Sequence, residues 1–279
     1  MVPADEGGTG IGGDSPGFFC LAWDKSSESR SMTTNPGCSA CREGKGLDFP
    51  ISMAFQPIID LQRRQVFAHE ALVRGSAGES AGSLLARVDS DNRYAFDQSC
   101  RIKAVEWAAR LQVPAMVSIN FMPNAVYRAE TCIRATLEAA ARCNFPLDRI
   151  IFEVTEQEQV LDIPHLTGIL RAYRQQGFMT AIDDFGAGYA GLNLLADFQP
   201  DLIKLDMDLI RGVDGDRVRQ VLVETTLEMC RKLGIRVIAE GIETPAELDC
   251  LRQMGVELFQ GYLLAKPGFE NLPEVHYPA

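Results

Sequence analysis

Residues 201–240 read DLIKLDMDLIRGVDGDRVRQVLVETTLEMCRKLGIRVIAE. The stretch opens on a short apolar, β-branched run, Asp201 to Leu205, and closes on another, Ile235 to Ala239. Between them, Arg217 to Leu233 has the length and amphipathic spacing of a helix. Gly234 stands where that helix needs a left-handed terminator. Strand, helix, strand is a βαβ unit, and its two strands run parallel because the helix carries the chain back across the sheet.

The same alternation extends in both directions. Further strand-like runs are Ile51 to Ile59, Val66 to Val73, Ala115 to Phe121, Arg149 to Val154, Met179 to Asp184 and Glu257 to Gln260. Helix-length segments are Tyr94 to Leu111, Pro123 to Cys143, Ile163 to Gln176 and Pro245 to Met254, with Gly177 and Gly255 as further terminators. Eight runs favour a closed barrel over an open sheet. The first two are joined only by residues around Gln62-Arg63-Arg64, too short for a parallel crossover. The expected fold is therefore α/β, a TIM-like (β/α)₈ barrel with one antiparallel strand.

Bulk properties narrow the partners. A net charge of −11 argues against tight binding of bulk nucleic acid, which requires cationic side chains to replace phosphate counterions. It leaves room for a small phosphate ligand if metal ions sit among the carboxylates. No apolar run approaches the roughly 20 residues that span a membrane, and the acidic, Gly-rich start lacks the layout of a secretory signal. Scattered cysteines fit a reduced, cytoplasmic protein. Residues 1–48 read as a flexible or irregular segment, with Met32 as an alternative start, and residues 49–279 as the barrel domain. Cys38-Ser39-Ala40-Cys41, with Cys20 upstream, is half of a zinc site with no nearby histidine to complete it.

Polar residues cluster at strand ends. Glu70 lies in the second run; Asn120, Glu153, Asp183-Asp184 and Glu240 close the third, fourth, fifth and seventh. In a barrel these ends converge on one face. One such acid is most simply a solvated loop residue or a helix N-cap. Acids at several converging ends repel one another unless something positive sits among them. Six oxygen donors with no His or Cys suit hard cations, Mg²⁺ or Mn²⁺, and the adjacent aspartates suit a carboxylate between two ions. Lys204, inside an apolar run, either snorkels to solvent or pairs with the carboxylates and holds a water.

Residues 186–191, GAGYAG, match the G-x-G-x-x-G outline of a dinucleotide-binding turn, with Asp206 downstream. Two observations disfavour a nicotinamide enzyme. Asp183-Asp184 stand directly before the turn, where they would repel a pyrophosphate, and several strand–helix repeats precede a motif that belongs to the first. Asp184-Phe185-Gly186 lacks the companion motifs of a kinase.

In chain order stand Phe55-Gln56-Pro57-Ile58, Glu70-Ala71-Leu72-Val73-Arg74, Ser118-Ile119-Asn120 and Phe152-Glu153-Val154-Thr155-Glu156. Asp183-Asp184-Phe185-Gly186-Ala187-Gly188-Tyr189, Asp201 to Asp206, Ala239 to Thr244 and Gln260 to Pro267 follow. This ordered set, over about residues 50–270, resembles the EAL family of cyclic-di-GMP phosphodiesterases. The resemblance implies hydrolysis of cyclic-di-GMP to linear pGpG with two divalent cations. It implies that Glu70, Asn120, Glu153 and Asp183 hold one ion, and that Asp183, Asp184 and Glu240 hold the second. Lys204 is then the residue that holds and helps deprotonate the attacking water, and Gln260 a further water contact. Gln56 and Arg74 become substrate contacts, Glu156 a support for the loop after the fifth strand, and Glu243 and Asp206 carboxylates that steady the site from behind. A homodimer and an unidentified regulatory protein are the partners it implies.

Three features depart from the family pattern. Gly75 stands where many members carry an aromatic; Ala187, Ala190 and Gly191 replace Thr and Ser; and the cysteine pair is additional. The forms around Gly75 and Gly191 resemble a subgroup that includes domains coupled to blue-light sensors. A module that binds cyclic-di-GMP or a protein without hydrolysis is the alternative, and the complete ligand set favours the enzyme.

Overall fold

The computed structural model describes residues 47–155, 162–187 and 191–278. Eight strands close into a barrel in the order β2-β3-β4-β5-β6-β7-β8-β1, and β1 returns to β2. They are β1 Ile51–Asp60, β2 Gln65–Gly75, β3 Met116–Asn120, β4 Ile150–Thr155, β5 Met179–Phe185, β6 Leu202–Leu205, β7 Arg236–Ala239 and β8 Leu258–Phe259. The pairs from β2 to β8 are parallel. β1 is antiparallel to both neighbours, as the short first connection requires. The barrel with one reversed strand is thus the fold expected from sequence.

A two-residue strand, β9 Gly268–Phe269, was not anticipated. It pairs with Ala54 and Phe55, taking the edge of β1 beyond the point where short β8 ends. That edge would otherwise leave backbone groups unpaired.

The helix ends follow local chemistry. Asp216 caps Arg217–Leu233 by accepting from the amides of Val218 and Arg219, and Gly234 ends it at φ +72°. Thr244 and Glu247 form a reciprocal cap on Pro245–Met254, and Gly255 ends it at φ +96°. The single helix expected over Pro123 to Cys143 is a correction. The chain makes one 3₁₀ turn at Pro123–Ala125, then helices Ala129–Cys132 and Arg134–Arg142. Val126 and Arg128 are extended, and the Val126 carbonyl is taken by the His165 ring at 2.5 Å instead of a helical amide. A tertiary contact has overridden local propensity.

Strand periodicity divides the core in two. Outward side chains of the strands pack against the helices. Inward, Ile58, Ala68, Ile151, Ala181, Leu202, Ile238 and Leu258 fill one end of the barrel, with Met116 and Met179 beside them. This apolar floor makes the interior a packed core and leaves the other end for polar residues.

Candidate active site

Strand side chains alternate faces, so residues two apart point the same way. One step of two beyond the floor, toward the C-terminal ends, stand Glu70 after Ala68, Ser118 after Met116, Glu153 after Ile151 and Asp183 after Ala181. Lys204 follows Leu202, Glu240 follows Ile238 and Gln260 follows Leu258. In reversed β1 the same step runs backwards, from Ile58 to Gln56. Each strand thus contributes one polar residue to the layer above the floor.

Lys204, 1% exposed, is the hub of that layer. Its Nζ lies 2.7 Å from Glu240 Oε1, 3.1 Å from Glu153 Oε2, 3.1 Å from Asp183 Oδ1 and 3.4 Å from Glu70 Oε2. The lysine does not snorkel outward. Asn120 Nδ2 donates to Glu70 Oε1 at 3.0 Å, and Gln260 Nε2 donates to Glu70 Oε2 at 2.8 Å. Ser118 Oγ donates to Glu153 Oε1.

Adjacent aspartates on a regular strand point to opposite faces. β5 breaks that rule: its register against β6 shifts between Ile182 and Phe185, and Asp184 takes a left-handed backbone at φ +54°. The irregularity brings both carboxylates to one side. The Asp184 amide donates to Asp183 Oδ1 at 2.9 Å, and Thr155 Oγ1 donates to Asp184 Oδ2 at 2.8 Å. Two overlapping carboxylate groups result, Glu70–Glu153–Asp183 and Asp183–Asp184–Glu240, each with oxygens within 4.8 Å of one another. Beyond Glu240, Gly241 at φ +67° turns against Met207, where a Cβ would lie 2.5 Å from the Met207 Cβ. Gly261 abuts the backbone of Ile242 as closely, a Cβ there falling 2.1 Å from its carbonyl oxygen. These contacts fix the strand ends bearing Glu240 and Gln260.

Five carboxylates around one ammonium leave excess negative charge. Burial pushes Glu153 up to about 8; Lys204 opposes the shift, while Glu70 and Asp183 add to it. Burial, then Asp183, lifts Asp184 to about 7. Glu240 is raised well above the carboxylate range, chiefly by burial. Glu70 is held below its usual value: burial opposes its charge, but Lys204, Gln260 and Asn120 outweigh it. Burial likewise opposes the Lys204 charge, and the carboxylates nonetheless hold it well above the ordinary lysine range. Gln260 Oε1 is buried with no hydrogen-bond partner. A surplus of buried oxygen donors, with an orphaned amide oxygen beside them, fits hard divalent cations.

Two cavities meet at Glu70, Asp183 and Asp184. One is lined by Gln56, Lys204, Glu240, Gln260 and Tyr262 among others. The other extends between Leu72, Phe96, Asp97, Asn120 and Phe121. Gln56 Nε2 donates to the Ala265 carbonyl at 3.2 Å. Arg74 stands four residues after Glu70 on the same strand face, donates to the Val73 carbonyl at 2.8 Å, and lines neither cavity. Glu243 is exposed at the rim of the first cavity and pairs with Arg211 at 2.8 Å. Asp206 is buried and caps the next turn through the Asp208 amide at 2.8 Å. Glu156, Gly188 to Ala190 and the three N-terminal cysteines lie outside the described residues. Ser118 and Thr155, which hold Glu153 and Asp184, had no role in the sequence reading. The step of two from Met116 and from Glu153 would have found them.

Known proteins are similar to this chain over the barrel. The family model described as EAL domain matches residues 49–267. The blue light- and temperature-regulated antirepressor BluF of Escherichia coli (strain K12) is 33% identical over 227 residues, 81% of this chain and 56% of that protein. The cyclic di-GMP phosphodiesterase NbdA of Pseudomonas aeruginosa is 30% identical over 235 residues, 79% of this chain and 29% of that protein. The chain therefore spans about half or less of the length of these two relatives. A standalone versatile EAL protein from Vibrio cholerae O395, solved in a c-di-GMP bound form, has a TM-score of 0.81 and 53% identity, covering 83% of this chain and 98% of that one. Klebsiella pneumoniae BlrP1, solved as a manganese/cy-diGMP complex, has a TM-score of 0.77 and 34% identity, covering 82% and 58%. No helix among the described residues is long and apolar enough to cross a membrane.

Proposed function

The chain belongs to the EAL-domain family, and on that premise we propose that it is a cyclic-di-GMP phosphodiesterase that forms linear pGpG. The observation that carries the reading is the pair of carboxylate groups sharing Asp183. In this reading Glu70, Asn120, Glu153 and Asp183 hold one Mg²⁺ or Mn²⁺, and Asp183, Asp184 and Glu240 hold the other. Such ions, when bound, acidify water and neutralise charge on the non-bridging phosphate oxygens.

The protein's own residues supply position and proton control. Lys204, fixed by four carboxylates, is an ammonium in this arrangement and donates hydrogen bonds toward the reacting side. It can accept a proton only once positive charge elsewhere has neutralised those carboxylates. Gln260, with its free Oε1, orients water at the same place. Gln56 and Arg74 reach the substrate from β1 and β2, Glu243 and Asp206 steady the adjoining loops, and Glu156 supports the loop after β5. Residues 49–279 form the catalytic unit, and the setting is cytoplasmic. A homodimer and a regulatory protein complete the proposal.

The test is turnover of cyclic-di-GMP by EDTA-treated protein, with and without Mg²⁺ or Mn²⁺, resolving pGpG by chromatography. Metal-dependent pGpG formation that disappears in Glu70→Ala is the expected result; an unchanged rate in that variant discards the ion assignment. One observation favours a second reading, a receptor or protein-interaction module: the similar BluF is named an antirepressor. Saturable binding of cyclic-di-GMP without product would select it.

A further inference from the structure

The segment after Asn120 is gripped by a buried ion pair, of which Asp97 also lines the cavity beside Asn120 and Phe121. Asp97 and Arg101 lie one turn apart in the helix Arg93–Arg110, 3% and 0% exposed. Their side chains meet at 2.7 Å, Asp97 Oδ2 to Arg101 Nη2. Asp97 Oδ1 accepts the amide N–H of Met122 at 2.8 Å. Arg101 Nη1 donates to the Tyr173 hydroxyl at 2.7 Å. The guanidinium carbon also lies 5.2 Å from the centroid of the Phe121 ring and 5.4 Å from that of Phe152. Phe121 directly follows Asn120, and Phe152 directly precedes Glu153. The Phe121 amide in turn donates to the Glu153 carbonyl at 3.0 Å. One guanidinium therefore braces the neighbours of both residues, and one carboxylate fixes the turn that leaves Asn120.

A buried ion pair is by itself weak evidence for a stabilising role. Replacing a buried ion pair with apolar side chains of similar shape is often neutral or stabilising. Groups behind metal ligands, by contrast, commonly set ion affinity through ligand orientation. We propose that Asp97 and Arg101 are positioning residues that aim Asn120 and Glu153 at the cation held with Glu70. The inference rests on the proposed cation-binding role of those residues.

Calorimetric titration with Mn²⁺ tests it without relying on turnover. Asp97→Ala is expected to weaken Mn²⁺ binding by about 10–100-fold. The Mn²⁺ concentration for half-maximal pGpG formation should rise by the same factor, with the rate at saturating Mn²⁺ retained. Asp97→Asn keeps an oxygen for the Met122 amide and should recover part of the loss. Tyr173→Phe removes only the hydroxyl that holds Arg101 and should shift affinity in the same direction by less. Lowered Tm with unchanged Mn²⁺ affinity in Asp97→Ala would make the pair purely structural and overturn the proposal. If Asp97→Ala does not fold, unchanged affinity in both Asp97→Asn and Tyr173→Phe overturns it equally. A wild-type protein that takes up no Mn²⁺ removes the cation site and this inference with it. One that binds Mn²⁺ but forms no pGpG removes only the hydrolase reading.

Discussion

Ser118 shows how much a single hydroxyl controls in a buried site. Its Oγ is a donor to Glu153, the carboxyl that burial pushes up to about 8. That hydrogen bond opposes the upward shift. Ser118→Ala should therefore tighten the proton on Glu153, and a cation must compete with it. The expected result is an apparent Mn²⁺ affinity at neutral pH lowered by about tenfold. The difference should shrink as the pH is raised past about 8, where Glu153 of the unaltered protein ionises, and vanish once the pH also exceeds the higher value in Ser118→Ala. Mn²⁺ titrations at two pH values measure both effects. The charged residues of this site were legible in the sequence because acids and a lysine are conspicuous in apolar strands. Ser118 and Thr155 were not, since a hydroxyl at a strand position raises no such flag.

At the level of elements, β5 carries the clearest conflict between regularity and use. Its two aspartates face one site only because the strand ends irregularly, with Asp184 left-handed. Asn tolerates that backbone as well as Asp does. Asp184→Asn should thus keep the turn and remove the charge. Hydrolysis is expected to fall by about 10²-fold. The Tm of the ion-free protein should not fall, because repulsion from Asp183 is relieved. A collapse in Tm would identify Asp184 as a backbone-supporting residue instead. Strands and capped helices were readable because their periods and terminators are local, as in Arg217–Leu233 and Pro245–Met254. The break after Val126 was not, because it depends on His165, 39 residues away in the chain. β9 escaped notice because its pairing answers the early end of β8, which only the closed barrel reveals.

For the whole molecule, the excess of carboxylates links stability to pH. In the ion-free fold Glu153 binds its proton up to about pH 8, whereas its ordinary value is 4.5. A raised folded-state value means that the native protein holds protons which the unfolded chain releases. The stabilisation is full below about pH 4.5 and is lost as pH rises through about 8; Asp184, at about 7, acts in the same sense. The Tm of EDTA-treated protein should accordingly fall across this window. Mn²⁺ should flatten the fall and release protons on binding, which calorimetry in buffers of different ionisation enthalpy detects. A Tm that rises with pH in EDTA would contradict the charge assignment of the site.

The reversed direction of β1 also determines how the barrel is tethered. Ile51 pairs with Gly75, at the end of β2 toward which Glu70 and its companions open. In a barrel whose strands all ran one way, the first strand would start at the opposite, closed end. Here β1 begins beside the carboxylate cluster, and Gln56 is reached five residues later. The described residues just before Ile51 thus lie at the doorway, and β1 joins them to the wall that carries Gln56.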